Sequence, residues 1–349
     1  MRLTLGDFAR SARGRLDPAV WDFFEGGAGE ERTLAANLDA FDRQWLRPSV
    51  LRGASSPETA VTILGRTWDA PVAIAPIAFQ TLAHPMGEVA TVQGTAAAAR
   101  VPVVVSTFSG RTIEEVADGA GLPLWLQVYC LRDRAVTRSL VERARDAGYE
   151  ALVLTVDAPH LGRRLRDVRN GFRLPEGIVP ANLAGDDRFA EPAAHARTEF
   201  DPDLDWSAVD WLRSISSLPV LVKGILTGSD ARLAAGAGVD GIVVSNHGGR
   251  QLDGVPASLD VLPEIAAAVA GRLPILLDGG VRRGRDVLAA LALGADAVLL
   301  GRPVLHGLAV GAAEGVTDVL RVLLGELTDA MSLAGVRKLA DITPDLVGR

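Results

Sequence analysis

Eight short apolar runs, each followed by a stretch with helical spacing, divide most of this chain into repeating units. They are PVAIAPIAF (71–79), VPVVVST (101–107), PLWLQVY (123–129), ALVLTVD (151–157), PVLVKG (219–224), GIVVSNHG (241–248), PILLDGG (274–280) and AVLLGRP (297–303). The runs are nearly continuous in apolar residues rather than alternating, which means burial on both faces, as in parallel strands covered by helices. Between them, segments such as RTIEEVADGA and DRAVTRSLVERARDAG repeat apolar residues at three- and four-residue steps. Eight such units predict an α/β protein of the (β/α)8 TIM-barrel type. A doubly wound open sheet would need a glycine-rich phosphate turn after its first strand, and APIAFQTLAHP has none.

The 349 residues fit one domain, with 1–70 as an N-terminal helical cap segment over one end and 71–349 as the barrel. A helical stretch near Asp17 to Phe24 and a glycine-rich break, GGAG (26–29), lie in the cap. The longest connection, about 166–206, follows the fourth strand and is rich in proline and charge; its place predicts a lid over the catalytic face. A net charge of -7 gives no basic footprint for nucleic acid. The single cysteine, Cys130, can form neither an intrachain disulfide nor a cysteine metal cluster. No apolar core of a secretory signal opens the chain, and no apolar run is long enough for a membrane span, so the expected compartment is the cytoplasm.

In a β/α barrel the residues at the C-terminal strand ends converge on one mouth. Here they are Ser106, Gln127, Tyr129, Thr155, Asp157, Lys223, His247, Asp278 and Arg302, with Arg163, Arg164 and Arg250 just beyond. The most informative piece is SNHGGRQLDG (245–254), a base and a cation separated by two glycines after an apolar strand. Lys223 lies inside an apolar run, where an unpaired ammonium is costly; it either pairs with a barrel aspartate or faces an electron-rich ligand atom. DGGVRRG (278–284) and LGRP (300–303) bring Gly280, Gly301, Arg282, Arg283 and Arg302 to the ends of strands seven and eight. Backbone N–H groups and arginine forks there predict a phosphate site.

WDFFEGG, IAP, AHPMGE, LTVDAP with LGRR, LVKG, SNHGGRQLDG, DGGVRRG and LGRP occur in one order. Together they resemble the FMN-dependent 2-hydroxy acid oxidising family, which includes glycolate oxidase, lactate oxidase and mandelate dehydrogenase. The pattern is most similar to the actinobacterial mandelate and 4-hydroxymandelate oxidases. The resemblance implies a barrel with FMN at its mouth, a 2-hydroxy acid substrate, O2 as electron acceptor, and a homo-oligomer, tetramer or octamer. His247 resembles the family base and Asp157 its orienting carboxylate. Arg164 and Arg250 look like the substrate-carboxylate clamp, Tyr129 like a substrate-contacting hydroxyl, and Lys223 like the cation beside the flavin. The implied cofactor contacts are Ile77, Ala78, Ser106, Gln127, Thr155, Ser245, Gly248, Asp278, Gly280, Arg282, Gly301 and Arg302.

Two departures bear on the substrate. Where glycolate-oxidising members carry a tyrosine, this chain has Phe23, which removes a carboxylate contact worth about 1 kcal/mol or more. Where glycolate oxidase has a tryptophan, it has Phe108. Both changes favour a bulky apolar 2-substituent such as phenyl, with a small acid (lactate or glycolate) or another electron acceptor as alternatives. Cys130 reads as a core thiol and His84 as structural, while His160, His195 and His306 have no partner legible in sequence.

Overall fold

The computed structural model describes residues 2–183 and 199–348. Eight parallel strands close into a barrel: β1 (Val72–Ile74), β2 (Val103–Val105), β3 (Leu124–Val128), β4 (Ala151–Thr155), β5 (Val220–Ile225), β6 (Gly241–Val244), β7 (Ile275–Leu277) and β8 (Ala297–Leu300). They neighbour one another in chain order, and β8 pairs with β1 to close the ring. Seven strands fall inside their apolar runs, and β5 overruns PVLVKG by one residue, Ile225.

Alternation along each strand divides the core in two. Val72, Ile74, Val103, Val105, Leu152 and Leu154 face outward to the helices, while Ala73, Val104, Trp125, Val153, Leu221 and Leu276 fill the interior. Both sets are apolar, which is why the runs show no polar period. Side-chain caps start several of the outer helices. Thr112 and Glu115 form a capping box before Ile113–Ala117, and Thr227 accepts from the Asp230 amide ahead of Gly228–Gly236.

The first 70 residues do not cap one end alone, as the sequence suggested. The antiparallel hairpin Val61–Ile63/Arg66–Trp68 belongs to the interior cluster, and Trp68 meets Trp125 edge-on at 5.5 Å. Trp125 sits near the start of β3, so the hairpin plugs the N-terminal end of the barrel. Helices Pro18–Glu25 and Arg32–Asp42 go to the opposite end. There the Asp253 carboxylate accepts from the amides of Glu30 and Thr33, both at 2.9 Å. Asn37 and Asn246 exchange side-chain amide hydrogen bonds at 2.9 and 2.8 Å. The segment divides because the barrel interior is open at both ends and both need covering.

Of the expected lid, the described parts are a short helix, Leu165–Asn170, a 3-10 turn, Ala181–Leu183, and Phe200, which bridges to Leu131. Residues 184–198, the middle of that lid, lie outside the described residues, and His195 with them. Among the described residues no helix is long and apolar enough to cross a membrane.

Trp68 is fully buried at the plug. Trp68→Ala should therefore destabilise the protein by about 3–5 kcal/mol, the usual range for truncating a buried aromatic. Denaturant unfolding measures this, and a loss below about 1 kcal/mol would show that the plug does not carry the N-terminal end.

Candidate active site

A cavity of about 490 Å³ opens at the C-terminal strand ends. Ile77, Ala78, Ser106, Gln127, Tyr129, Thr155, Lys223, His247, Gly248, Asp278, Gly280 and Gly301 line it. The arginines Arg164, Arg250, Arg282 and Arg302 line it too, as do Phe23 and Phe108. Residues from all eight strand ends and from the N-terminal segment thus meet in one space.

His247 Nδ1 lies 2.8 Å from Asp157 Oδ1. Burial pushes the imidazole below its ordinary pKa although Asp157 pulls the other way, so the ring is neutral at pH 7. Burial would raise the Asp157 carboxyl, but His247 and Lys223 hold it below the usual carboxylate range. Asp157 stands behind the imidazole, not on the cavity wall, and its Oδ2 is buried without a partner. The pair requires backbone concessions on both sides. His247 adopts φ 58°, a left-handed conformation that is rare outside glycine. At Gly224, with φ 119°, a Cβ would sit 2.7 Å from that of Asp157.

Lys223 makes the first of the two contacts that its sequence context allowed, the pairing with a barrel aspartate. Its ammonium pairs with Asp278 Oδ2 at 2.9 Å and donates to Ser245 Oγ at 2.7 Å, while its side chain lines the cavity. Burial lowers its pKa, yet Asp278 and Asp157 more than offset this, so the charge is retained. Ser245 does not reach the cavity wall as expected. It is fully buried, and its hydroxyl also accepts the His247 amide at 3.0 Å, so it acts through its neighbours. Ser106, Gln127 and Thr155 form a chain, with bonds of 3.2 and 3.0 Å at the two ends of the Gln127 amide.

Cations crowd the rest of the cavity. Arg250 donates through Nη1 to the carbonyls of Phe23 at 2.7 Å and Gly26 at 2.9 Å, and its guanidinium lies 5.5 Å over the Phe23 ring. Arg164 has a buried Nε without a partner. Burial, Arg164 and Arg302 together press the Arg250 pKa well down, and burial and Arg302 lower Arg282 to about 10. Closely set guanidiniums in a partly desolvated space are poised to receive anions. Two sequence expectations are corrected here. Arg283 turns outward to Glu326 at 2.9 Å, and Arg163 is exposed; neither lines the cavity.

Phe23 stacks on Phe172 at 4.6 Å, and Tyr129 stacks on Phe200 at 4.5 Å with Phe108 against both. Leu161, Leu174 and Leu305 add to the apolar lining. Sequence reading missed Phe172 and Phe200, which stand in the long connection without periodicity. It also missed Gln251, whose amide donates to the carbonyls of Asp157 at 2.7 Å and His160 at 2.8 Å and accepts from Gly162 at 3.1 Å. The Gln251 signal was its place within SNHGGRQLDG. Asp167, on the cavity wall with a buried unpartnered Oδ1, was missed as well. Cys130 is buried, as expected of a core thiol, and burial raises its pKa to about 11. His84 accepts from the Met86 amide at 3.2 Å, also a local structural role.

Comparison with known proteins adds an independent line. The family model described as FMN-dependent dehydrogenase matches residues 12–349. The chain is 48% identical to an L-lactate oxidase of Nostoc sp., over 97% of this chain and 96% of that protein. It is 47% identical to a 4-hydroxymandelate oxidase of Amycolatopsis orientalis, over 95% and 94%. The crystal structure of a mandelate oxidase superposes with a TM-score of 0.93 at 45% identity, covering 100% of this chain and 98% of the other.

The depressed His247 pKa has a thermodynamic consequence. The folded state binds fewer protons than the unfolded state once pH falls below 6.5, the ordinary histidine value. Stability should therefore decline as pH drops through and below 6.5, and His247→Asn should flatten that part of the profile. Denaturant titrations at several pH values test it; an unchanged slope in the variant removes His247 as its source.

Proposed function

Because the chain belongs to the FMN-dependent dehydrogenase family and is an FMN-dependent 2-hydroxy acid oxidase, we propose that it oxidises an (S)-2-hydroxy acid bearing an aryl group, mandelate or 4-hydroxymandelate, to the 2-oxo acid. The observation that carries this reading is the His247 imidazole bonded to the Asp157 carboxylate beside Arg164 and Arg250 in one cavity with aromatic walls.

The residues present fit FMN. Asp278 has a buried Oδ1 with no protein partner, and Arg282 pairs with no carboxylate among the described residues. At Gly280, on the cavity wall, a Cβ would meet the Asn37 carbonyl at 2.1 Å, so only glycine fits between the cavity and helix Arg32–Asp42. Arg282, Arg302, Gly280 and Gly301 would hold the phosphate, and Asp278 the ribityl hydroxyls. Gly248 would pack beside them. Ser106, Gln127 and Thr155 would bond the polar edge of the ring, with Ile77 and Ala78 against its face. Lys223 would set its charge beside the ring's electron-rich side, with Ser245 holding that lysine and the His247 backbone. When bound, FMN supplies the two-electron acceptor that takes hydride from C2 of the substrate.

Arg164 and Arg250 orient the substrate carboxylate by forked hydrogen bonds. The Tyr129 hydroxyl adds a donor, since burial and Asp157 raise its pKa and keep it protonated. His247, neutral at pH 7, takes the proton of the 2-hydroxyl as C2 loses hydride. Asp157 stabilises the resulting imidazolium and fixes the ring's orientation. Molecular oxygen takes the electrons in the oxidative half-reaction and leaves as hydrogen peroxide. A homo-oligomer, tetramer or octamer, completes the proposal; the exposed Trp45, Val50, Leu51 and Leu333 offer apolar surface for it.

A small acid is the second reading, favoured by the lactate oxidase relative. The two oxidase relatives differ by a single percentage point in identity and do not separate the substrates. The walls of Phe23, Phe172, Phe108 and Phe200 favour the aryl acid, since they offer ring-stacking surface that lactate cannot use.

Anaerobic addition of (S)-mandelate should bleach the flavin band quickly and (S)-lactate slowly. Faster bleaching by lactate would overturn the aryl reading, and no bleaching by either acid would overturn the oxidase reading. His247→Ala should retain FMN and lose about 10²–10⁴-fold in the rate of flavin reduction, the usual weight of a general base; a near-normal rate would remove the base assignment. Phe23→Tyr should raise the kcat/KM ratio of glycolate to mandelate by about tenfold, since packing a phenyl group against the added hydroxyl costs about 1–3 kcal/mol that glycolate does not incur. An unchanged ratio would show that position 23 does not select the substrate.

A further inference from the structure

Glu25 and His306 stand at the phosphate end of the cavity and have no part in the oxidation proposed above. Glu25 closes the helix Pro18–Glu25, and His306 lies near the start of the last long helix, Arg302–Ala334. His306 Nε2 is 2.9 Å from Glu25 Oε1, and the same oxygen is 3.9 Å from Arg302 Nε. Burial pushes the Glu25 carboxyl up, but the bond and charge of His306, then Arg302 and Arg282, hold it at about 2. An ionised carboxylate can only accept, so Nε2 carries the hydrogen and donates. Trp21 stacks on the imidazole at 5.5 Å with 24° between planes, which fixes the ring. Arg302 uses Nε on the Phe24 carbonyl at 3.1 Å and Nη2 on the Gly248 carbonyl at 3.0 Å. Its Nη1 has no acceptor among the described residues.

We propose that His306 holds the Glu25 carboxylate off Arg302, leaving that guanidinium a donor for the cofactor phosphate, so that the pair sets phosphate affinity at this site. The inference rests on the reading that Arg282 and Arg302 receive the phosphate. A buried carboxylate without a hydrogen-bond donor seeks the nearest cation. Here that is Arg302, and an arginine–carboxylate fork would occupy the donors the phosphate needs. With His306 in place, Glu25 damps the repulsion between Arg282 and Arg302 at a distance and competes for neither.

Apoprotein titrated with FMN and with riboflavin, which lacks the phosphate, tests this through quenching of flavin fluorescence. His306→Phe keeps a ring against Trp21 and loses the donor. It should weaken FMN about tenfold, equivalent to about 1.4 kcal/mol, and riboflavin by less than about twofold. His306→Gln, which keeps a donor, should retain FMN affinity. Glu25→Gln should bind FMN at least as tightly as the wild type, and Glu25→Gln combined with His306→Phe should recover that affinity. Equal weakening of FMN and riboflavin by His306→Phe, or a double variant as weak as His306→Phe, overturns the proposal. A wild-type protein that binds riboflavin as tightly as FMN overturns the phosphate reading beneath it as well.

Discussion

The contact between His247 Nδ1 and Asp157 Oδ1 joins the ends of β6 and β4 across the intervening β5. Much of the mouth is arranged around it. Gly224 on β5 lacks a side chain because Asp157 fills the space where one would go. Ser245 holds the His247 amide and the Lys223 ammonium, coupling the orientation of the base to the position of the cation. Gln251 fastens the Asp157 and His160 carbonyls, so the loop that carries the carboxylate cannot drift from the loop that carries the histidine. The left-handed backbone at His247 is maintained because several partners on both sides specify it.

Charge balance is the second constraint. The mouth buries Lys223 among carboxylates but leaves the arginines short of them. Lys223 is matched twice, by Asp278 directly and by Asp157 at longer range. Among the described residues, Asp167, half-buried, is the carboxylate that acts on both Arg164 and Arg250. Cations balanced within the protein and cations left for a ligand are therefore separated along one cavity. That separation tells a positioning ion pair from a binding group more clearly than burial alone.

The barrel was legible because a strand covered on both faces must be apolar throughout, eight such strands alternate with helices, and the glycine-rich turn of a doubly wound sheet is missing after the first. His247, Arg250, Lys223 and Arg302 were legible for a related reason, since a polar residue at the end of such a run has only the mouth to face. Ser245 lies just past the end of β6 and turns its hydroxyl to the Lys223 ammonium, so it is not on the cavity wall. Arg283, at the start of helix Gly284–Ala292, turns outward to Glu326 while Arg282 faces the cavity. Phe172, Phe200 and the Glu25–His306 pair were not legible because each depends on segments far apart in the chain meeting in space; Glu25 and His306 are 281 residues apart. The hairpin plug was missed because its three-residue strands look like ordinary turn sequence.

The start of the chain is fastened to residues made much later. Asp253 grips the amides of Glu30 and Thr33 across 223 and 220 residues, and Arg250 holds the Phe23 carbonyl across 227. During synthesis at about 5–20 residues per second, the segment that completes the mouth waits roughly 10–45 seconds for its anchors to emerge. Through that interval Phe23, Phe24 and Phe41 have no finished barrel to cover. This segment therefore leaves the ribosome long before its anchors and is among the last parts to be seated, and its apolar faces are ones a nascent-chain chaperone would meet.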